Sequence, residues 1–248
     1  MIRASFAVSV AIVLVLLLGT PLLIYSALRG ESETLYHVGI WACRLVLRVG
    51  GVRLEVYGRE KIPAGLPVVF MPNHQSNCDP PAIITVLPPT RVMAKKGLFA
   101  VPILGRAMRL RGYVPVDRQN RERAMQAIEE GVRALQAGES FMIYPEGKRS
   151  SDGRLLPFKK GAFVMAIKAQ APIVPISISG ASKVMPKGAF AIRPGVVRIT
   201  IHDPVPTAGY RLEEREQLSD VVRQAILQGL TPEEWPEPTA AEAGRKRR

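Results

Sequence analysis

Cysteine, aromatic and acidic side chains are all scarce in this 248-residue chain, and each shortage excludes something. The two cysteines, Cys43 and Cys78, are too few for a disulfide framework and lack the spacing of zinc ligands. A reduced, cytosol-facing compartment and no metal follow as expectations. Aromatics make up 6% of the residues and no nucleic-acid-binding module is recognisable, so nucleic acid is a poor partner. Also missing are a G-x-S-x-G nucleophile elbow, an H-E-x-x-H pair, a C-x-x-C pair and a glycine-rich nucleotide loop.

The shortage of acid leaves a surplus of base. Lys and Arg number 34 against 21 Asp and Glu, and the net charge of +13 is unevenly spread. Residues 91–123 hold nine Lys or Arg against Asp117 and Glu122, and residues 146–168 hold six against Glu146 and Asp152. Two middle stretches therefore carry most of the excess. Such a field attracts phosphate, whether on a lipid surface, a small anion or a nucleic acid.

Charge is absent altogether from Ala4 to Leu28, with "VAIVLVLLLG" at the centre. That run is long enough for a helix to cross a hydrocarbon core about 30 Å thick. A signal peptide is the alternative, but the apolar run is too long and no A-x-A-like site precedes Arg29. Gly19-Thr20-Pro21 interrupts it, so a kinked or re-entrant helix competes with a straight transmembrane helix. The next stretch, "SETLYHVGIWACRLVLRVGG", has an amphipathic period. Leu35, Val38, Ala42, Leu45 and Val49 share one face, and His37, Arg44 and Arg48 another. Tyr36 and Trp41 suit a headgroup boundary, which makes this an interfacial helix; an ordinary surface helix packed on the soluble core fits the same pattern.

Past Gly50-Gly51 short apolar runs alternate with Gly and Pro. "VRLEVYG", "PVVFMP", "GYVPV", "SFMIYP", "PIVPISIS" and "VVRITI" read as strands, with helices over Arg121 to Gln136 and Lys159 to Gln170. The pattern predicts an α/β fold with a largely parallel sheet flanked by helices, its site beyond the carboxyl ends of the strands. Residues 1–50 are expected to form membrane-anchoring helices, 51–230 one domain, and the Pro-, Ala- and charge-rich 231–248 a disordered tail.

"VVFMPNHQSNCDPPAI" carries the chemistry. An apolar strand ends, and His74 follows with Asp79 five residues later. Asp79-Pro80 reads as a helix N-cap with proline at the first helical position. A carboxylate has acceptor sites to spare, so Asp79 can also hold a histidine N–H, fix its tautomer and stabilise the imidazolium formed during reaction. Cys78 beside His74 is an alternative acyl-accepting nucleophile. Lys95, Lys96 and Arg118 follow in the first basic stretch, and Glu146, Lys148 and Arg149 in the Pro/Gly turn of "YPEGKRS". Cations at successive strand ends can converge on one phosphate, as can a solvated basic face on anionic lipid. His202, in "TIHDPVP", reads as a strand-end residue without catalytic duty.

These blocks resemble the glycerolipid acyltransferases, most closely the 1-acylglycerol-3-phosphate acyltransferase branch. "NHQSNCD" matches the H-x4-D motif, and "YPEGKRS" resembles the F-P-E-G-T-R-S block. "KGLFAVPILGRAMRLRGYVPVDR" and "APIVPISI" are similar to the two others, in order, over residues 50 to 205. The resemblance implies His74 as general base and Asp79 as its orienting group. It implies that Lys96, Arg118, Glu146 and Arg149 shape the acceptor's phosphate site, that Gly147 allows close backbone approach, and that Pro175 lies near the acyl donor. It further implies an acyl thioester donor, acyl-CoA or acyl-carrier protein, with no cofactor; a lysophospholipid acceptor, lysophosphatidate; and phosphatidate as product. Membrane lipids are then partners, with the catalytic domain on the cytosolic face. Lys148 stands where threonine is usual and Gly97 where glutamate is common, and both departures make the site more positive. Acylation of another lyso-lipid and non-catalytic binding of anionic lipid are the alternatives.

Overall fold

A computed structural model describes residues 13–189 and 191–237. A π-helical turn, Val15–Gly19, runs into helix α1, Thr20–Arg29, and Gly30 in a left-handed conformation ends it. Among the described residues no helix is long and apolar enough to cross a membrane. The first third of the uncharged run, up to residue 12, lies outside them.

Helix α2, Glu33–Val49, packs on the domain through a different face from the one its period suggests. Tyr36 and Leu47 are buried, and the Arg111 guanidinium stacks 4.4 Å over the Tyr36 ring. Tyr36 is therefore not at a headgroup boundary. Leu35, Val38, Ala42, Leu45 and Val49 form a second, half-covered apolar face, while His37, Trp41, Arg44 and Arg48 are exposed. The helix has two apolar faces: Tyr36 and Leu47 are buried on one, while on the other Val49 packs against the core and Leu35, Val38, Ala42 and Leu45 stay half covered.

The remaining chain builds one seven-stranded sheet. Its strands are β1 Val52–Tyr57, β2 Val69–Pro72, β3 Arg91–Lys95, β4 Val114–Val116, β5 Phe141–Met142, β6 Ile173–Ser179 and β7 Gly195–Ile201. Their order is β1-β7-β6-β2-β5-β3-β4, and only the β6–β7 pair is antiparallel. The six runs read as strands each contain one. The seventh, β3, is hidden in the basic block, where Arg91 and Lys95 bracket three apolar residues and mask the alternation.

Period-two alternation splits the core in two. Val69 and Met71 of β2 and Ile173 of β6 face one layer, made with α5, Arg121–Gln136, α6, Gly161–Ala169, and α8, Arg215–Gln228. Val68, Phe70, Val174, Ile176 and Ile178 face the other, made with α2, α3, Asp79–Ile84, and α7, Ala181–Val184. Helix α4, Leu104–Leu110, sits between β3 and β4. Beyond α8 the chain is not a loose tail at once: Pro232–Glu234 forms a 3-10 turn and Glu234 is buried. Residues 238–248 lie outside the described part.

The parallel arrangement of β6, β2, β5, β3 and β4 has one consequence for function. The segments after β2, β5, β3 and β4 all leave the same sheet edge. His74, Glu146 to Arg149, Lys96 and Arg118 lie on those segments.

Candidate active site

His74 is two residues past the end of β2, and the loop that carries it is held almost entirely by polar side chains. Asn73 imitates a strand residue: its Nδ2 donates to the Ile178 carbonyl at 2.9 Å and its Oδ1 accepts from the Ile178 N–H at 2.6 Å. Ser76 Oγ donates to the Met185 carbonyl at 2.6 Å and accepts from the Cys78 N–H at 2.9 Å. A buried loop carries backbone groups that water cannot reach, and the polar run N-H-Q-S-N supplies the partners.

Asp79 organises the loop. It is wholly buried, and its Oδ2 accepts from the Gln75 and Ser76 N–H groups and from His74 Nδ1, each at 2.7 Å. Asp79 is not the cap of its helix: it is the first residue of α3, and Cys78 precedes it in the cap position without a side-chain bond. Pro80 and Pro81 bring no N–H to a helix start whose donors would be unpaired. Holding the loop backbone and steering the histidine thus fall on one oxygen, directed backwards from the helix; Oδ1 is buried without a partner among the described residues. An ionised carboxylate only accepts, so Nδ1 carries the hydrogen and Nε2 keeps its lone pair. No described residue engages Nε2, and the His74 side chain is 14% exposed.

Two groups from the segment after β5 fix the ring from behind. The Tyr144 ring stacks on the imidazole at 3.9 Å between centroids and 18° between planes. Its hydroxyl is buried without a partner among the described residues, and burial pushes its pKa well above the usual phenol range. Glu146 is also turned inward. One carboxylate oxygen accepts from the His74 N–H, the other from the Leu156 N–H at 2.9 Å. Burial outweighs those two donors and raises its pKa to about 8.

Arg149 reaches the loop directly, its guanidinium donating to Asn77 Oδ1. The neighbouring Ser150 N–H donates to the His74 carbonyl at 2.9 Å. Gly147, between Glu146 and Lys148, has φ +69°, a left-handed conformation that only glycine adopts without strain. Lys148 is exposed.

Lys96 and Arg118 are brought together elsewhere on the same edge. Both line a cleft of about 1030 Å³ with Lys95, Arg109 and Arg123. Asp117 stands among them, 3.4 Å from Lys96 Nζ and 3.6 Å from Arg123. Partial desolvation lowers the pKa of Arg118, whose side chain remains exposed in the cleft. Neighbouring strands lie ~4.8 Å apart, which sets β3 ~10 Å and β4 ~14 Å from β2. His74, Asp79, Glu146 and Arg149 do not line this cleft. Pro175 is buried inside β6, opposite Met71, and lines neither place. Cys78 is buried, and burial followed by the Asp79 charge pushes its thiol up to about 12, so it offers no thiolate at neutral pH. His202 is buried at the end of β7 with Nε2 against Ser177 Oγ at 2.7 Å, a packing role.

Residues 53–179 match the family model described as "Acyltransferase", and they contain the ends of β2, β3, β4 and β5 with His74, Asp79, Lys96, Arg118, Glu146 and Arg149. The chain belongs to the acyltransferase family. A 1-acyl-sn-glycerol-3-phosphate acyltransferase of Chlamydomonas reinhardtii is 32% identical over 232 residues, 92% of this chain and 68% of that one. A chloroplastic enzyme of the same name from Brassica napus is 37% identical over 155 residues, 62% of this chain and 45% of that one. This acyltransferase therefore spans less than half of its chloroplastic relative. Among solved structures, the 1-acyl-sn-glycerophosphate acyltransferase PlsC from Thermotoga maritima superposes with a TM-score of 0.78 at 28% identity, covering 92% of this chain and 95% of that one.

Tyr144, Asn73, Gln75 and Asp117 were not singled out from the sequence. Asn73 and Gln75 were findable: amides flanking a histidine behind a buried strand have to be satisfied somewhere. Tyr144 stands at the phenylalanine position of the F-P-E-G block, which marks an aromatic there without saying what it stacks on.

Proposed function

We infer that this acyltransferase moves a fatty acyl group from a thioester to the free hydroxyl of 1-acyl-sn-glycerol 3-phosphate, giving phosphatidate. The observation that carries this reading is His74: Nδ1–H is tied to buried Asp79 and Nε2 is left free at the sheet edge. A glycerol hydroxyl is a poor nucleophile near neutral pH. Nε2 takes its proton as the oxygen attacks the thioester carbonyl, and Asp79 stabilises the imidazolium. The C–O bond forms, the C–S bond breaks, and the departing thiolate recovers the proton from Nε2. General-base help of this kind contributes about 10²–10⁴-fold.

Arg149, beside the His74 loop, and Lys96 and Arg118, in the cleft, are the cations that would anchor the acceptor's phosphate. Anchoring can contribute up to ~7–11 kcal/mol by fixing the hydroxyl near its base. Glu146 supports this site from inside, as the brace between the His74 and Leu156 backbones. The donor is acyl-CoA or an acyl-carrier protein, since the chemistry needs only the thioester.

The acceptor and product both carry acyl chains, so the reading includes a bilayer surface. Leu17, Ile24 and Leu28 at the N-terminus are exposed, as is Trp41 on α2 beside Arg44 and Arg48. Apolar and cationic groups so combined suit insertion among anionic headgroups. The positive charge following the apolar run favours a cytosolic catalytic domain.

The test is an acceptor and donor screen with purified protein on vesicles. Phosphatidate should form from lysophosphatidate with either thioester, and unphosphorylated monoacylglycerol should react far more slowly. Vesicle binding that tracks total charge, with no thioester consumed for any acceptor, would leave only an anionic-lipid-binding protein.

A further inference from the structure

We propose that Glu234, at the far end of the chain, is a positioning residue for the reaction. It acts through Gln75 as part of a C-terminal strap that holds the two motif loops in register. The proposal rests on the acyl-transfer reading above.

Gln75 is the immediate neighbour of His74, and its amide is buried and fully used. Nε2 donates to the Ile178 carbonyl at 2.8 Å and to Glu234 Oε1 at 3.1 Å, while Oε1 accepts from the Ser182 N–H at 3.2 Å. Glu234 lies 159 residues further along, and its side chain is spent on this task. Oε1 also accepts from the Gly180 N–H at 2.8 Å, and Oε2 from the Thr231 N–H at 3.1 Å. The residue is 5% exposed, and its side-chain partners among the described residues are all uncharged N–H donors. A carboxylate buried on N–H donors alone is costly to place and is retained where its geometry matters.

The same segment grips the second loop. The Leu155 N–H donates to the Glu234 carbonyl at 2.8 Å, and Arg154 donates to the Trp235 carbonyl at 3.2 Å. Leu156, next along, is the residue whose N–H meets Glu146. Glu234 thus touches the His74 loop through its side chain and the stretch after Arg149 through its backbone. Without the strap, each loop keeps its strand but loses one fixed point shared with the other. A small error in the placement of Nε2 is expensive, because displacement of about 1 Å can cost 10²-fold in rate.

The test is steady-state kinetics of the full chain on vesicles, with the unfolding temperature measured alongside. Glu234→Ala should lower kcat by about 10- to 10²-fold while the KM for lysophosphatidate stays within about twofold. Glu234→Gln keeps an oxygen for Gln75 and Gly180 and should recover most of the loss. Gln75→Ala cuts the link from the loop side, so it carries the test by itself if Glu234→Ala does not fold. It should show the same fall in kcat at unchanged KM. In the double variant the loss should be well below the product of the two single losses, since both changes remove the shared Gln75–Glu234 bond. Undiminished kcat in the single variants, or losses that multiply in the double variant, would overturn the proposal. A wild-type protein that transfers nothing defeats the acyl-transfer reading instead.

Discussion

The His74 loop and the cleft of Lys96 and Arg118 share one sheet edge and are built in opposite ways. In the first, side chains are short, buried and bonded to backbone: Asn73, Gln75, Ser76, Asp79 and Glu146 are all nearly inaccessible. In the second, long cations stand in a cleft of about 1030 Å³, and Lys96 and Arg123 are loosely held by Asp117. The difference separates two tasks. A proton transfer tolerates little displacement, so its base is fixed by a buried network that pre-sets the tautomer. A phosphate on a flexible lipid can be met by mobile cations that rearrange around it, at the cost of some side-chain entropy.

Substitutions in the two regions should therefore fail differently. The largest effect is expected from Asp79→Asn. It removes the negative charge that stabilises the imidazolium and leaves a single amide oxygen to hold Nδ1–H, and kcat should fall about 10²–10⁴-fold. The KM for lysophosphatidate should change little. A rise in KM without loss of kcat would erase the division of labour. Next come the cleft variants. Arg118→Gln should raise the KM for the phosphorylated acceptor about tenfold, a typical loss for one charge-assisted hydrogen bond, with kcat nearly intact. Lys96→Gln should do less, because Asp117 already holds part of that charge. Reaction with an unphosphorylated acceptor should not respond to either.

The smallest effect, in stability rather than rate, concerns the brace. Folded Glu146 keeps its proton to about pH 8, while an unfolded glutamate loses it near 4.5. Between those values the folded protein binds more protons than the unfolded chain. The stability this group contributes is therefore complete below pH 4.5 and falls as the pH rises toward 8, by about 1.4 kcal/mol per unit at most. Denaturant unfolding from pH 5 to 8 should show that decline in the wild type and a flatter curve in Glu146→Gln. A wild-type curve no steeper than that of Glu146→Gln would mean that folded Glu146 is already ionised over this range.

Much of this contrast was legible in the residues. Strands such as Val52–Tyr57 and Ile173–Ser179 announce themselves by apolar runs between glycines and prolines, and His74-x4-Asp79 states its pairing outright. Other features were not legible, for physical reasons. Strand β3 is three residues of hydrocarbon between cations, too short for alternation to stand out. Tyr36 was assigned to the wrong environment because helical period identifies apolar faces but not which of two meets the core. Glu146 looked like part of a cationic cluster, since adjacency in sequence to Lys148 and Arg149 hides opposite directions in space. The strap at Glu234 depends on a contact across 159 residues, inside a stretch whose composition suggests no fold at all.

Thiol release from an acyl thioester, at saturating lysophosphatidate, in wild type and His74→Ala, bears most directly on the imidazole's part in catalysis. The variant should retain vesicle binding and unfolding temperature and lose about 10²–10⁴-fold in kcat. Turnover within a few-fold of wild type in a correctly folded variant would contradict it, and would move the proton transfer to a different group.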